Sequence, residues 1–154
     1  MIGELILVRH GKAESKLLDK SDFDRTLTEE GKREFETFMK KVVPLLEPKK
    51  QLEVWTSPLI RAKETADVFK EALGIAEMKE KDFLGNGDLE GLLQELEKQD
   101  SQFVIACVGH EPAMSAWTKE LTGQSTPFPK GGVVSIRFEE DKEKGRLDWK
   151  LFPN

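Results

Sequence analysis

Two uninterrupted apolar runs, Leu5-Ile6-Leu7-Val8 and Phe103-Val104-Ile105-Ala106-Cys107-Val108, constrain this chain more than any other feature of its sequence. A strand with one face in water alternates apolar and polar residues, whereas a short run apolar on both faces has to be covered on both. Glu4 to Arg9 is therefore predicted as a buried strand, and Phe103 to Val108 as the clearest buried strand in the chain. Leu52 to Thr56 is a further strand candidate. Helical spacing fills the intervals. Thr28 is placed to cap a helix whose apolar face is Phe35, Phe38, Met39 and Val42, with Pro44 ending or bending it. Ser57-Pro58 predicts a helix start with proline in the first helical position, Arg61 in the first turn, and Gly74 as a left-handed cap. Ile75 to Gly87 is ambiguous, with a weak strand around Ala76 to Met78 and then a glycine-rich loop. Asp88 begins a third helix with Leu89, Leu92, Leu93 and Leu96 inward, and Pro112 begins a fourth that buries Met114, Trp117 and Leu121 and stops at Gly123. Val133 to Phe138 and Leu147 to Phe152 flank a turn around Asp141 to Gly145 and read as a hairpin.

The expected architecture is α/β: a single three-layer domain over residues 1–154, with a mostly parallel central sheet, helices on both faces and a C-terminal hairpin. A chain of 154 residues suits one domain. Hydrophobic residues at 38% and charged residues at 34% suit a soluble globular protein. No apolar run has the length of a membrane span. The chain enters its first strand without a charged leader, and the lone Cys107 has no internal disulfide partner, so cytoplasmic residence is expected. The formal net charge is −5 and the basic residues lie scattered among acidic ones, which argues against nucleic acid as a partner. The apolar helix faces are all needed to cover the sheet, so a monomer is expected.

The chain has two histidines, His10 and His110, and each directly follows a predicted buried strand. In open α/β sheets ligands sit beyond the carboxyl ends of the strands. A single histidine there is more often structural than catalytic, but both of two are not readily explained so. Arg9 precedes the first, and Arg61 lies in the first turn of a helix that leaves a strand end. Two imidazoles, guanidinium forks and a helix amino terminus together suit a phosphoryl group, because planar donors match its oxygens and the helix dipole favours its charge. A cysteine phosphatase would need an arginine six residues after its nucleophile, where Cys107 is followed by Ala113. A metal hydrolase would need a third ligand, and a Lys-Ser or Lys-Thr phosphate loop is absent, so no metal or other cofactor is expected. Cys107, Trp55, Trp117 and Trp149 are read as packing residues.

Arg9-His10-Gly11, then Ser57-Pro58-Leu59-Ile60-Arg61-Ala62 with Thr65 downstream, then Gly109-His110, follow one another in the order found in the histidine phosphatase superfamily, which the chain resembles over nearly its whole length. Its size, the Arg25 to Gly31 stretch, Gly87-Asp88 and Lys130-Gly131-Gly132 resemble the SixA-like phosphohistidine phosphatase branch. The resemblance implies that His10 attacks phosphorus, that Arg9, Arg61 and His110 hold the phosphoryl oxygens, and that Arg25 and Gly11 contribute to substrate binding. A histidine nucleophile needs one ring nitrogen bare, so the other should donate to a backbone acceptor. His110 is expected to work best protonated, as a donor. Larger relatives use an acid to protonate an alkoxide leaving group; here the nearest match is Asp82, with Glu80, Asp88 and Glu90 close by. Glu111 is equally explained by the dipole of the helix it starts. The implied substrate is phosphohistidine on a protein, whose imidazole departs without a strong acid. Alternatives are a phosphatase of small phosphomonoesters on the same site, or a non-catalytic phosphate-binding module.

Overall fold

Apolar runs covered on both faces require helices above and below the sheet, and the chain supplies them. The computed structural model describes residues 2–16, 19–46, 51–139 and 144–153. Strands Glu4–Arg9 (β1), Gln51–Thr56 (β2), Met78–Glu80 (β3), Phe103–Gly109 (β4), Val133–Arg137 (β5) and Arg146–Leu151 (β6) form one sheet in the order β3-β2-β4-β1-β5-β6. Neighbours among β3, β2, β4 and β1 pair in parallel, while β5 pairs antiparallel with both β1 and β6. The sheet is thus mostly parallel and finishes in the expected hairpin. The turn expected around Asp141 to Gly145 lies for the most part outside the described residues.

Successive residues of a strand point to opposite faces, so one apolar run serves two cores. Ile6 and Val8 of β1 and Ala106 of β4 pack beneath helices Glu29–Val42 (α1) and Ile60–Ala72 (α2). Leu5, Leu7, Ile105 and Cys107 face the other way, against Asp82–Asn86 (α3), Leu89–Glu97 (α4) and Ala113–Thr122 (α5). The layering has a consequence for function. The chain leaving β1 turns to α1 on one face, and the chain leaving the adjacent β4 turns to α5 on the other. Where neighbouring strands diverge in this way, a crevice opens between their carboxyl ends. The register pairs Arg9 with Gly109, and the His10 backbone N–H donates to the Gly109 carbonyl at 3.1 Å, so both histidines stand at that crevice.

Thr28 caps α1 by accepting from the Gly31 N–H at 2.9 Å, and Gly74 and Gly123 take positive φ after α2 and α5, as the sequence predicts. Pro44 falls in a short 3-10 turn, Val43–Leu45, that ends α1. Three local expectations need correction. Helix α2 begins at Ile60, not at Pro58, because Leu59 is still extended (φ −66°, ψ 139°) and the Ser57 hydroxyl accepts from the Leu59 N–H at 3.2 Å within the preceding turn. The weak strand lies at Met78–Glu80, where it pairs with Val54 to Thr56. The segment after it is no open loop: Leu84 is buried, and Asp82–Asn86 coils into α3 before Gly87 ends it at φ +71°. In α4, Leu92 and Leu96 are buried while Leu89 and Leu93 pack partly buried at the margin. Cys107 is fully buried in β4, where desolvation pushes its thiol up and away from chemistry. No described helix is long and apolar enough to cross a membrane.

Candidate active site

His10 sits one residue beyond β1 and is 8% exposed. Its Nδ1 lies 2.7 Å from the Gly11 carbonyl oxygen, which can only accept, so Nδ1 carries the proton and Nε2 is bare. Burial, reinforced by the nearby His110, Arg61 and Arg9 and opposed by the Gly11 bond, lowers its pKa from 6.5 to about 3. The ring is therefore neutral, with a free lone pair, over the ordinary pH range. Gly11 is held in turn. Its N–H donates to the Thr65 hydroxyl at 3.1 Å, and that hydroxyl donates to the Arg61 carbonyl at 2.8 Å. Both backbone groups of Gly11 are thus engaged inside the protein, and its carbonyl supports the His10 ring.

The guanidinium groups are braced from outside. Arg9 Nη1 donates to the Phe128 carbonyl at 2.8 Å. Arg61 donates through Nη1 to the Asp22 carbonyl at 2.7 Å and through Nη2 to the Asp22 carboxylate at 3.2 Å. Arg25 reaches the same carboxylate through Nε and Nη2, at 3.0 and 2.8 Å, and gives Nη1 to the Glu14 carbonyl at 2.6 Å. Asp22 therefore ties together the two arginines that come from different elements. Arg25 first, then Arg61, holds its carboxyl below the usual range.

His110 sits one residue beyond β4, with its ring centroid 5.2 Å from that of His10. Nε2 is 2.8 Å from the Ser57 hydroxyl. Burial first, then Arg61, lowers its pKa to about 4, with Asp22 pulling the other way. The expectation of a protonated His110 is corrected here: desolvation and the surrounding guanidinium groups favour the neutral ring.

Arg9, His10, Arg25, Arg61 and His110 line one cavity of about 300 Å³, joined at its mouth by Lys130. Among the described residues, the buried side-chain nitrogen and oxygen atoms without a hydrogen-bond partner are Arg9 Nε, Arg61 Nε and His110 Nδ1. Folded proteins seldom leave such atoms unpaired, and here all three belong to residues that line the cavity with His10. Five of the residues singled out from sequence thus come together, with Gly11 bonded to the His10 ring through its carbonyl. Asp82 does not join them. It lies in the first turn of α3, exposed, and does not line the cavity, because the chain enters that turn straight from the last hydrogen bonds of β3. Glu80 pairs with Lys63 at 2.7 Å, Asp88 caps α4 through the Gly91 N–H at 3.1 Å, and Glu90 is exposed. The carboxylates that do line the cavity are Glu14 and Glu111. Glu14 is held at about 2 by Lys20 and by the Thr26 backbone. Glu111 accepts from the Ser115 N–H at 2.7 Å and the Phe128 N–H at 3.3 Å, so it secures α5 and the carbonyl that braces Arg9. Among the described residues no group of three or more His, Cys, Asp or Glu side chains is placed to hold a metal ion. Sequence reasoning missed Asp22, whose signal was its position three residues before Arg25, and it read Ser57 as a helix start and a motif residue but not as a partner of His110.

Comparison with known proteins adds an independent finding. The family model described as histidine phosphatase superfamily (branch 1) matches residues 5–125. An uncharacterized protein of Picosynechococcus sp. is 31% identical over 97% of this chain and 93% of its own length. The structure of SixA from Agrobacterium tumefaciens superposes with a TM-score of 0.82 at 24% identity, covering 99% of both chains. That of the protein histidine phosphatase SixA complexed with tungstate gives 0.81 at 24% identity over 97% of both chains. A mycobacterial glucosyl-3-phosphoglycerate phosphatase complexed with VO3 gives 0.70 at 15% identity, covering 99% of this chain and all of that one. At these identities the structural likeness establishes the fold, which this chain shares throughout.

Proposed function

The chain belongs to the histidine phosphatase superfamily (branch 1), and on that premise we propose that it hydrolyses phosphohistidine on proteins through a phosphorylated His10. His10 Nε2 attacks phosphorus while the bond from phosphorus to the substrate's imidazole nitrogen breaks. The departing imidazole leaves neutral when its other nitrogen already carries a proton. Water then attacks the phosphoryl group on His10, the Nε2–phosphorus bond breaks, and inorganic phosphate is released with the ring neutral again. In both steps the charge on the three equatorial oxygens is met by preformed donors on Arg9, Arg61 and His110, with Arg25 reaching in from the loop.

The observation that carries this reading is that Arg9, Arg61 and His110, each with a buried nitrogen lacking a protein partner, line one cavity with His10 and its bare Nε2. It matches the needs of a phosphoryl group, and relatives of this fold solved with tungstate or VO3 accord with it. The placement of acids supports the choice of substrate. Both carboxylates on the cavity are engaged by backbone N–H groups, and Asp82 lies off it, so among the described residues no carboxyl group on the cavity is left free of such bonds to protonate an alkoxide. An imidazole leaving group needs no such acid. The test is phosphate release, in EDTA, from a phosphohistidine peptide and from p-nitrophenyl phosphate, by wild type and His10→Ala. Cleavage of the peptide in preference to the ester, lost in the variant, is expected. Rapid turnover of sugar phosphates or nucleotides with the peptide untouched would transfer the site to phosphomonoesters, and equal activity in both proteins would remove His10 as nucleophile.

A further inference from the structure

We infer that Ser57 is a positioning residue that fixes His110 as a neutral Nδ1–H tautomer, so that His110 meets the phosphoryl group as an uncharged hydrogen-bond donor. The inference rests on the phosphatase reading only for what Nδ1 donates to; the tautomer itself follows from the hydrogen bonds. Ser57 is fully buried at the end of β2, and its hydroxyl has one proton to give. Its oxygen already accepts the Leu59 N–H at 3.2 Å. The only other partner of that oxygen among the described residues is His110 Nε2 at 2.8 Å. If Nε2 carried a proton it would donate to Ser57, and the serine's own proton would be left buried with no acceptor, at a cost folded proteins avoid. With Ser57 donating to Nε2, the serine and Nε2 are both satisfied, whereas the other tautomer would strand the serine's proton and the Nδ1 lone pair together; the single proton of the neutral ring then resides on Nδ1. That is the atom with no protein partner.

The two histidines are then complementary. His10 keeps Nδ1–H on the Gly11 carbonyl and offers a lone pair from Nε2; His110 takes a proton from Ser57 at Nε2 and offers a proton from Nδ1. Without the serine, the Nε2–H form, which predominates for histidine in water, would return, and a lone pair would face the phosphoryl oxygens. The arrangement also explains how His110 donates among Arg9, Arg25, Arg61 and the neighbouring His10, where a fourth cation would be repelled more strongly than Asp22 attracts it. It is a neutral donor in a site already rich in positive charge.

The test uses the whole protein labelled with nitrogen-15 in its two histidines. At pH 7.5 the long-range proton–nitrogen correlations of wild type are expected to show His110 as a neutral ring protonated at Nδ1. In Ser57→Ala the signal should move to the Nε2–H pattern, and turnover of a phosphohistidine peptide should fall about a hundredfold to a thousandfold, the scale of one lost donor. In a His110→Ala background Ser57→Ala should cost nothing further, since a residue acting through another is non-additive with it. An Nε2–H ring or an imidazolium in wild type overturns the inference, as does a loss from Ser57→Ala that is the same with and without His110. The wild-type spectrum decides the tautomer whether or not any phosphorylated substrate is turned over. A failure of the phosphatase reading is therefore distinguishable from a failure of this one.

Discussion

Replacing both histidines should remove a large part of the acid sensitivity of folding, by an amount the structure allows to be worked out. In the folded protein His10 has a pKa of about 3 and His110 of about 4, against 6.5 for an unperturbed histidine, chiefly because both are buried. The unfolded chain therefore takes up protons that the folded chain refuses. The stability these groups permit is fully present above about pH 6.5 and is lost as pH falls through the window down to 4 and then 3. At about pH 5 an unfolded histidine is almost wholly protonated and the folded ones are still mostly neutral. The penalty there is about 2 kcal/mol for each ring, about 4 kcal/mol together, and it hardly depends on how far below 5 the folded values lie. Against a total of roughly 5–15 kcal/mol this is a major loss. Urea unfolding of wild type and of His10→Ala/His110→Ala, near pH 7.5 and near pH 5 in buffers free of phosphate, measures it. Carboxylates common to both proteins cancel in the comparison. Wild type should lose about 4 kcal/mol more than the variant over that interval; equal losses would refute the claim that these rings are held neutral by burial.

Thr65→Val strands the Gly11 N–H, which should cost about 1–3 kcal/mol and lower the thermal midpoint by several degrees, while Thr65→Ser keeps the hydroxyl and most of the stability; an unchanged midpoint for Val would contradict the assigned bond. Arg61→Ala should lower kcat/KM for a phosphohistidine peptide about a hundredfold or more. Asp22→Ala, which leaves the Asp22 carbonyl to brace Arg61, should lower it about tenfold; equal losses in steady-state kinetics would show that the carboxylate itself carries the function. Asp82→Asn should leave kcat/KM for the same peptide unchanged, and a pronounced fall would return Asp82 to the site from which its exposure on α3 removes it.

The parts legible in the sequence share a physical cause. Leu5 to Val8 and Phe103 to Val108 are apolar on both faces, and only the centre of a covered sheet accommodates that. Their ends therefore locate His10 and His110, and parallel pairing does the rest. Arg61 was legible because helix periodicity fixes its turn even though the helix starts two residues later than Ser57-Pro58 suggested. What stayed hidden depends on side-chain partners distant in sequence. Asp22 braces Arg61 across 39 positions from a 3-10 turn, Asp22–Asp24, too short for a period to show, and Ser57 meets His110 across 53, beyond the reach of any local pattern. The helix Asp82–Asn86 is too short for periodicity to announce, and so the direction of Asp82 could not be read from its nearness to the motifs. The state of His110 was misjudged because sequence does not show the burial of the ring, whose desolvation acts in the same direction as the guanidinium groups around it.

The central claim is that His10 carries the phosphoryl group between substrate and water. Mixing the protein with a phosphohistidine peptide, quenching within one turnover under alkaline denaturing conditions that preserve phosphohistidine, and mapping the digest by mass spectrometry tests it most directly. The account predicts one added phosphoryl group on the peptide containing His10, labile to acid and absent from His10→Ala. Turnover without any such adduct, or an adduct placed on His110 instead, would contradict it.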